Sequence, residues 1–136
     1  VVAATGTVSE FLSSWPEFNE EILGGNYKGH YGHLEEGTVV SVVPGMANHP
    51  LLNGFNPNGY TSPAWLYKNR PLRSANAQVL LIGTIPGESP EPVLWINQNK
   101  YGTAIYTSLG HWYDWESASF KNVIFNAVDY VLNPKN

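Results

Sequence analysis

Five consecutive residues, His111-Trp112-Tyr113-Asp114-Trp115, put an imidazole, a carboxylate and three aromatic rings into one short loop. An imidazole exchanges protons near neutral pH, so His111 suits general acid–base work. The loop comes after Thr103–Leu109, a β-branched, mostly apolar run that reads as a strand, and Gly110 punctuates the junction. In open α/β sheets, ligands sit just beyond the carboxyl ends of strands. His111 falls at such a position. The plainer alternative is that His111 only holds the loop by hydrogen bonding to backbone.

Other chemistry is narrower. The chain has no cysteine, which removes thiol nucleophiles, disulfides and thiolate metal sites together. No Gly-x-Ser-x-Gly elbow is present. Thr5 and Ser9 sit at a strand-to-helix junction, but a hydroxyl capping a helix is the better reading of Ser9. His30 and His33 are spaced as metal ligands can be. They lack a third ligand nearby in sequence, so hydrogen-bonding loop histidines are favoured over zinc, and no metal site is assigned. His49 precedes Pro50 and reads as the cap of a single helical turn that Gly54 closes. Whether a cofactor is used is left unknown by the sequence.

The elements that must position these groups can be read in order. Val1–Ala4 resembles the end of a buried strand. Trp15–Leu23 reads as a short helix, with Pro16 early in it, acidic residues in its first turns and Gly24-Gly25 ending it. Thr38–Val43 is a β-branched strand halted by Pro44-Gly45. Tyr60–Lys68 reads as extended, and Asn69–Asn76 as a solvated polar loop flanked by Lys68. Ala77–Ile85, Pro92–Ile96 and Thr103–Thr107 read as strands, the last two close enough for an antiparallel hairpin. From Phe120 the apolar positions Phe120, Val123, Ile124, Ala127 and Val131 keep helical spacing, with Pro134 as the stop.

Composition limits the partners. At 136 residues the chain makes one domain at most, 1–136, and 43% apolar content suffices for a core. A net charge of −4 without a basic face argues against nucleic acid. No apolar run is long enough for a membrane span, and no polybasic stretch suggests a membrane surface. Five Trp and eight Tyr either pack the core and loops or form a surface on which sugar rings stack.

Several local patterns, taken in order, resemble one family. They are Trp15-Pro16-Glu17-Phe18 with Leu23-Gly24-Gly25, then Tyr27-x-Gly29-His30, then His49-Pro50-Leu51 with Gly54-Phe55. Pro92-Val93-x-Trp95, Tyr101-Gly102 and Ile105 to His111 come next, and the Phe120–Leu132 helix closes the series. Together they resemble the trehalose-utilisation (ThuA-like) domain of the class I glutamine-amidotransferase-like superfamily, over its C-terminal two thirds. The resemblance implies a three-layer α/β/α flavodoxin-like sheet that lacks its N-terminal strands, with a second chain or another segment completing it. It implies carbohydrate as partner, trehalose or oxidised (keto) glycosides, and a histidine-based acid–base site. His111, His30 and His49 would be catalytic, and Trp65, Trp95, Trp112 and Asp114 would contact substrate. The sequence departs from the family at Thr5, where a histidine is common, and at Ser62-Pro63, where an acidic pair is. Amidotransferase activity needs a thiol and is excluded. The competing readings are a degenerate module that binds sugar or protein without catalysis, and an assembly or structural subunit.

Overall fold

The computed structural model describes residues 2–3, 15–31 and 37–133. They form a mixed α/β fold with six strands: β1 (Val2–Ala3), β2 (Thr38–Val42), β3 (Tyr60–Ser62), β4 (Gln78–Thr84), β5 (Glu91–Asn99) and β6 (Gly102–Thr107). The sheet order is β1-β6-β5-β4-β2-β3. One long helix, α1 (Ala118–Leu132), accompanies them. The strands expected at 38–43, 77–85, 92–96 and 103–107 are present, as is the β5–β6 hairpin. So is the C-terminal helix, which begins two residues earlier than its apolar spacing suggests because Ser117 caps it, accepting from Phe120 N at 3.3 Å.

The expected three-layer flavodoxin-like arrangement needs mainly parallel strands joined by crossover helices. Among the described residues only β1 with β6 is parallel, and the other four strand pairings are antiparallel. Antiparallel neighbours can be joined by short turns and need no crossover helix, so the described residues carry one long helix rather than two helical layers. The reading of Val1–Ala4 as strand is met by β1, at one end of the sheet order among the described residues. Thr5, Ser9, His33 and Pro134 lie outside the described residues.

Strand alternation divides the core. On β5, Leu94 and Ile96 join α1 residues Phe120, Val123 and Ala127 in the larger apolar cluster. Their neighbour Trp95 faces the other way, into a smaller cluster with Phe18, Ile22, Leu23, Ala104 and Tyr106. Side chains of successive strand residues point to opposite faces, so one nine-residue strand supplies both clusters.

On the helix side, α1 is also tied down by polar groups. Asn122 donates to Gly54 O, Asn126 donates to Leu51 O and Asn53 O, and Ser119 Oγ accepts from Asn56 N. On the other side, the expected short helix is a single π-type segment, Phe18–Leu23. Its terminal carbonyls would lack partners. Instead Trp95 Nε1 donates to Leu23 O, and Asn97 and Asn99 donate to Ile22 O. Gly24 ends the segment at φ 71°, and a Cβ there would meet Ser74 Cβ at 2.7 Å and Asn97 Cγ at 2.8 Å.

Candidate functional site at the carboxyl end of β6

Strand direction defines two rims. β1, β3, β4 and β6 end where β2 and β5 begin. His111 comes after β6 at this rim. Trp65 comes after β3 at the same rim, where Thr38 Oγ1 at the start of β2 donates to Ala64 O. The 28–31 segment pairs with 66–68 through Lys28 N to Lys68 O, Lys68 N to Gly29 O and Tyr31 N to Leu66 O. That pairing places His30 opposite Tyr67 and packs its ring on Trp65, with centroids 4.5 Å apart.

His111 opens the short 3-10 turn Trp112–Glu116. Gly110 precedes it at φ 128°, a backbone conformation that side chains strongly disfavour, so the chain can leave β6 sharply there. Asp114 locks the turn. It is 1% exposed; its Oδ2 accepts from Gly110 N and His111 N, and its Oδ1 accepts from Tyr60 OH at 2.9 Å. A buried carboxylate must be compensated in this way or neutralised. The Tyr60 hydroxyl is held above its ordinary pKa by burial first, then by the Asp114 charge and by donating to it. Tyr60 therefore stays a proton donor at neutral pH. With the carboxylate buried and holding the loop, Trp112 and Tyr113 face outward, Trp112 at 72% exposure.

Hydrogen bonding sets the tautomers of the rings. His111 Nδ1 accepts from Tyr113 N at 3.3 Å. A backbone N–H can only donate, so a neutral His111 carries its proton on Nε2. His30 Nδ1 lies 2.7 Å from Tyr31 O. A carbonyl can only accept, so His30 holds a proton on Nδ1, and a neutral His30 presents its lone pair at Nε2. The two rim histidines are thus set in opposite senses, one as donor and one as acceptor.

His49 stands elsewhere. As its sequence suggests, it caps Pro50–Leu52, accepting from Leu51 N at 3.1 Å. Its ring packs on Tyr130, 5.8 Å between centroids. Ser117 caps the other end of α1, next to the His111 turn. From Ser117 to Tyr130 the helix rises about 20 Å, so His49 belongs to the opposite rim. It lines a hollow of about 750 Å³ with Asn53, Asn126 and Asp129. Burial lowers its pKa. His111 therefore follows one strand that ends at this rim, His30 packs on Trp65, which follows another, and His49 lies apart.

The aromatic expectations divide too. Trp65 and Trp112 are exposed, as a stacking surface requires. Trp95 has 0% exposure, donates to Leu23 O at 2.6 Å and packs 4.2 Å from Tyr106 between centroids. It is a core residue and presents no face to a ligand, which corrects its reading as a substrate contact. Alternation along β5 carries the signal, since Trp95 falls between the helix-facing Leu94 and Ile96. Tyr60 is the site residue that the sequence reading missed. Asp114 lies 54 positions away, and no local pattern joins them. Among the described residues, no group of three His, Asp or Glu side chains is placed to hold a metal ion. No helix among them is long and apolar enough to cross a membrane.

No curated protein matches the chain. The family model described as trehalose utilisation, ThuA, matches residues 1–131, nearly the whole length. On that match, the chain belongs to the ThuA trehalose-utilisation family.

Proposed function

We propose that this domain acts on a carbohydrate, trehalose or a keto-glycoside, through acid–base chemistry at the β6 rim. The observation that carries the reading is the opposite setting of the two histidines there: His30 Nδ1 donates to Tyr31 O, and His111 Nδ1 accepts from Tyr113 N. Proton transfer on a sugar needs one group that accepts and one that donates, and the family membership supplies the substrate class. In this reading His30 Nε2 is the base and His111 Nε2–H the acid. Asp114, expected to contact substrate, is instead buried with both oxygens engaged, so it and Tyr60 are positioning residues that touch the loop rather than a reacting atom. Trp112 and Trp65 supply ring faces for the sugar. His49, on the far rim, is a cap and takes no part in the chemistry.

In this proposal the sheet is class I glutamine-amidotransferase-like and flavodoxin-like only where further parallel strands, from another segment or a second chain, continue it past β1, at the one parallel pairing among the described residues. Size-exclusion chromatography with light scattering tests the second-chain form, which requires a dimer or larger species.

The chemical reading is tested with His111→Gln and His30→Gln against a keto-glycoside. Each substitution should reduce kcat by about 10² or more, as loss of a general acid or base does, with the folded-state circular dichroism unchanged. Full activity in both variants would overturn it. The second reading is a binding module without turnover. It is favoured by one observation, that the Asp114 carboxylate is wholly engaged by Gly110, His111 and Tyr60. That reading expects sugar-dependent Trp fluorescence changes with no product from any glycoside.

A further inference from the structure

Beside the His30 strand lies a second hollow of about 650 Å³, lined by Lys28, Tyr31, Lys68, Arg70, Pro71, Glu88 and Glu91. Three of the chain's seven lysines and arginines meet there, in a protein of net charge −4. The cations are held in place, and mostly by uncharged partners. Lys28 Nζ donates to Arg70 O. Lys68 Nζ sits 4.6 Å from the centre of the Tyr31 ring. Neither ammonium has a carboxylate within ion-pair distance among the described residues.

Arg70 is different. Its Nε lies 3.4 Å from Glu91 Oε1, and Glu91 Oε2 accepts from Asn69 N and Arg70 N. Glu91 is 3% exposed, so its charge is spent on fixing Arg70 and the backbone beneath it. With Glu91 and Arg70 matched, two lysines remain against the exposed Glu88. Each ammonium has three donors and uses at most one of them on the partner described. A ring of positioned, unspent N–H donors with excess positive charge is suited to a small oxyanion.

We propose that this hollow binds a small oxyanion group, a carboxylate or a phosphate, either free or carried on a sugar. Tyr31 links the hollow to the β6 rim, since its carbonyl accepts from His30 Nδ1 and its ring holds Lys68. An oxyanion-bearing sugar seated there would lie alongside His30. Binding at the hollow does not require His111 or His30 to be catalytic.

The test is titration of the whole protein, followed by calorimetry and by amide NMR shifts, with inorganic phosphate, glucuronate and glucose. Phosphate and glucuronate should each shift the amides around Lys28, Tyr31 and Lys68. Lys28→Gln/Lys68→Gln should weaken both by about tenfold or more, the loss expected for removing charge-assisted contacts. Lys121→Gln, on α1 and outside the hollow, should leave both unchanged. Tighter binding of glucuronate than phosphate identifies a sugar acid as the source; the reverse identifies phosphate. Absence of binding by both anions, equal binding in the double-lysine variant, or equal shifts by glucose would overturn the proposal. The readout is binding, so failure here is separable from failure of the acid–base reading, which only turnover decides.

Discussion

Two histidines do the same backbone task at opposite rims. His49 and His111 each cap a short 3-10 turn through Nδ1, on Leu51 N and Tyr113 N. Beyond the cap the two turns diverge. The His49 turn buries Leu51 and Leu52 against the core, and its ring is partly shielded by Tyr130. The His111 turn buries only Asp114 and turns Trp112, Tyr113 and Trp115 outward. The first turn is anchored by apolar burial, and its residues line the hollow of about 750 Å³. The second is anchored by a single carboxylate, which frees the aromatic rings for solvent. A capping histidine therefore does not mark a site by itself; the way its turn is anchored does.

Removing the anchor is the harshest way to break that contrast. Asp114→Ala deletes acceptors for three donors, two of them part-buried backbone N–H groups. The expected loss is about 3 kcal/mol by urea unfolding. Trp112 fluorescence should also change as the turn loses its geometry. Asp114→Asn keeps the size and one oxygen, and should cost less. A loss below about 1 kcal/mol for Asp114→Ala would mean that the turn is held by its aromatic contacts instead.

Tyr60→Phe tests the same anchor from the strand side. It leaves Asp114 Oδ1 without its donor in a buried place, at an expected cost of about 2 kcal/mol. It also sharpens the pH dependence. Tyr60 and Tyr106 are both raised from 10.0, chiefly by burial. Above that pH the unfolded chain loses these protons while the folded chain keeps them. Stability should therefore fall as pH rises past 10, and Tyr60→Phe should reduce the slope. An unchanged alkaline slope would remove Tyr60 from the account.

On the other rim the effect is smaller and of opposite pH sense. His49→Ala should cost about 1 kcal/mol, the usual worth of a side-chain cap. Burial lowers the pKa of His49 below 6.5. As pH falls through 6.5 the unfolded chain binds a proton that folded His49 resists, and a protonated Nδ1 could no longer accept from Leu51 N. Stability is thus lost on the acid side, down to the folded pKa, and His49→Asn should flatten that part of the profile. Equal acid slopes in wild type and variant would count against it.

The same contrast shows how much is legible in the sequence. The His49 cap, the strand before His111 and the amphipathic helix after it are set by spacing within a few residues, and all are present. The features that escape a sequence reading join distant positions. Asn69 falls in a stretch whose composition reads as a solvated loop, yet it is buried, and Glu91 Oε2 accepts from its N–H from 22 residues away. Tyr60 donates to Asp114 from 54 positions away, and nothing near either residue announces the partner. Trp95 is legible in principle, because alternation along an otherwise apolar strand places it inside whichever face it takes. The sheet's antiparallel character is partly legible in the short stretch between the expected strands, 97–102, which suits a hairpin and not a crossover and which the structure tightens to Lys100-Tyr101.

The smallest expected change in stability carries the largest functional content. Trp112 is 72% exposed, and its described ring contacts are with its neighbours His111 and Tyr113. Trp112→Ala removes little buried surface, so its unfolding free energy should move by no more than about 0.5 kcal/mol. If the outward rings are a sugar platform, the same change should weaken carbohydrate binding by about tenfold, the worth of one aromatic face of roughly 1.4 kcal/mol. Phe125→Ala on α1, comparably exposed at 66% but away from the rim, is the matched control. It should leave binding intact. Loss of binding at Trp112 but not at Phe125 would separate a recognition surface from incidental exposure. An equal response at both, or at neither, would reduce the His111 turn to what the His49 turn already is, a local solution to a backbone problem.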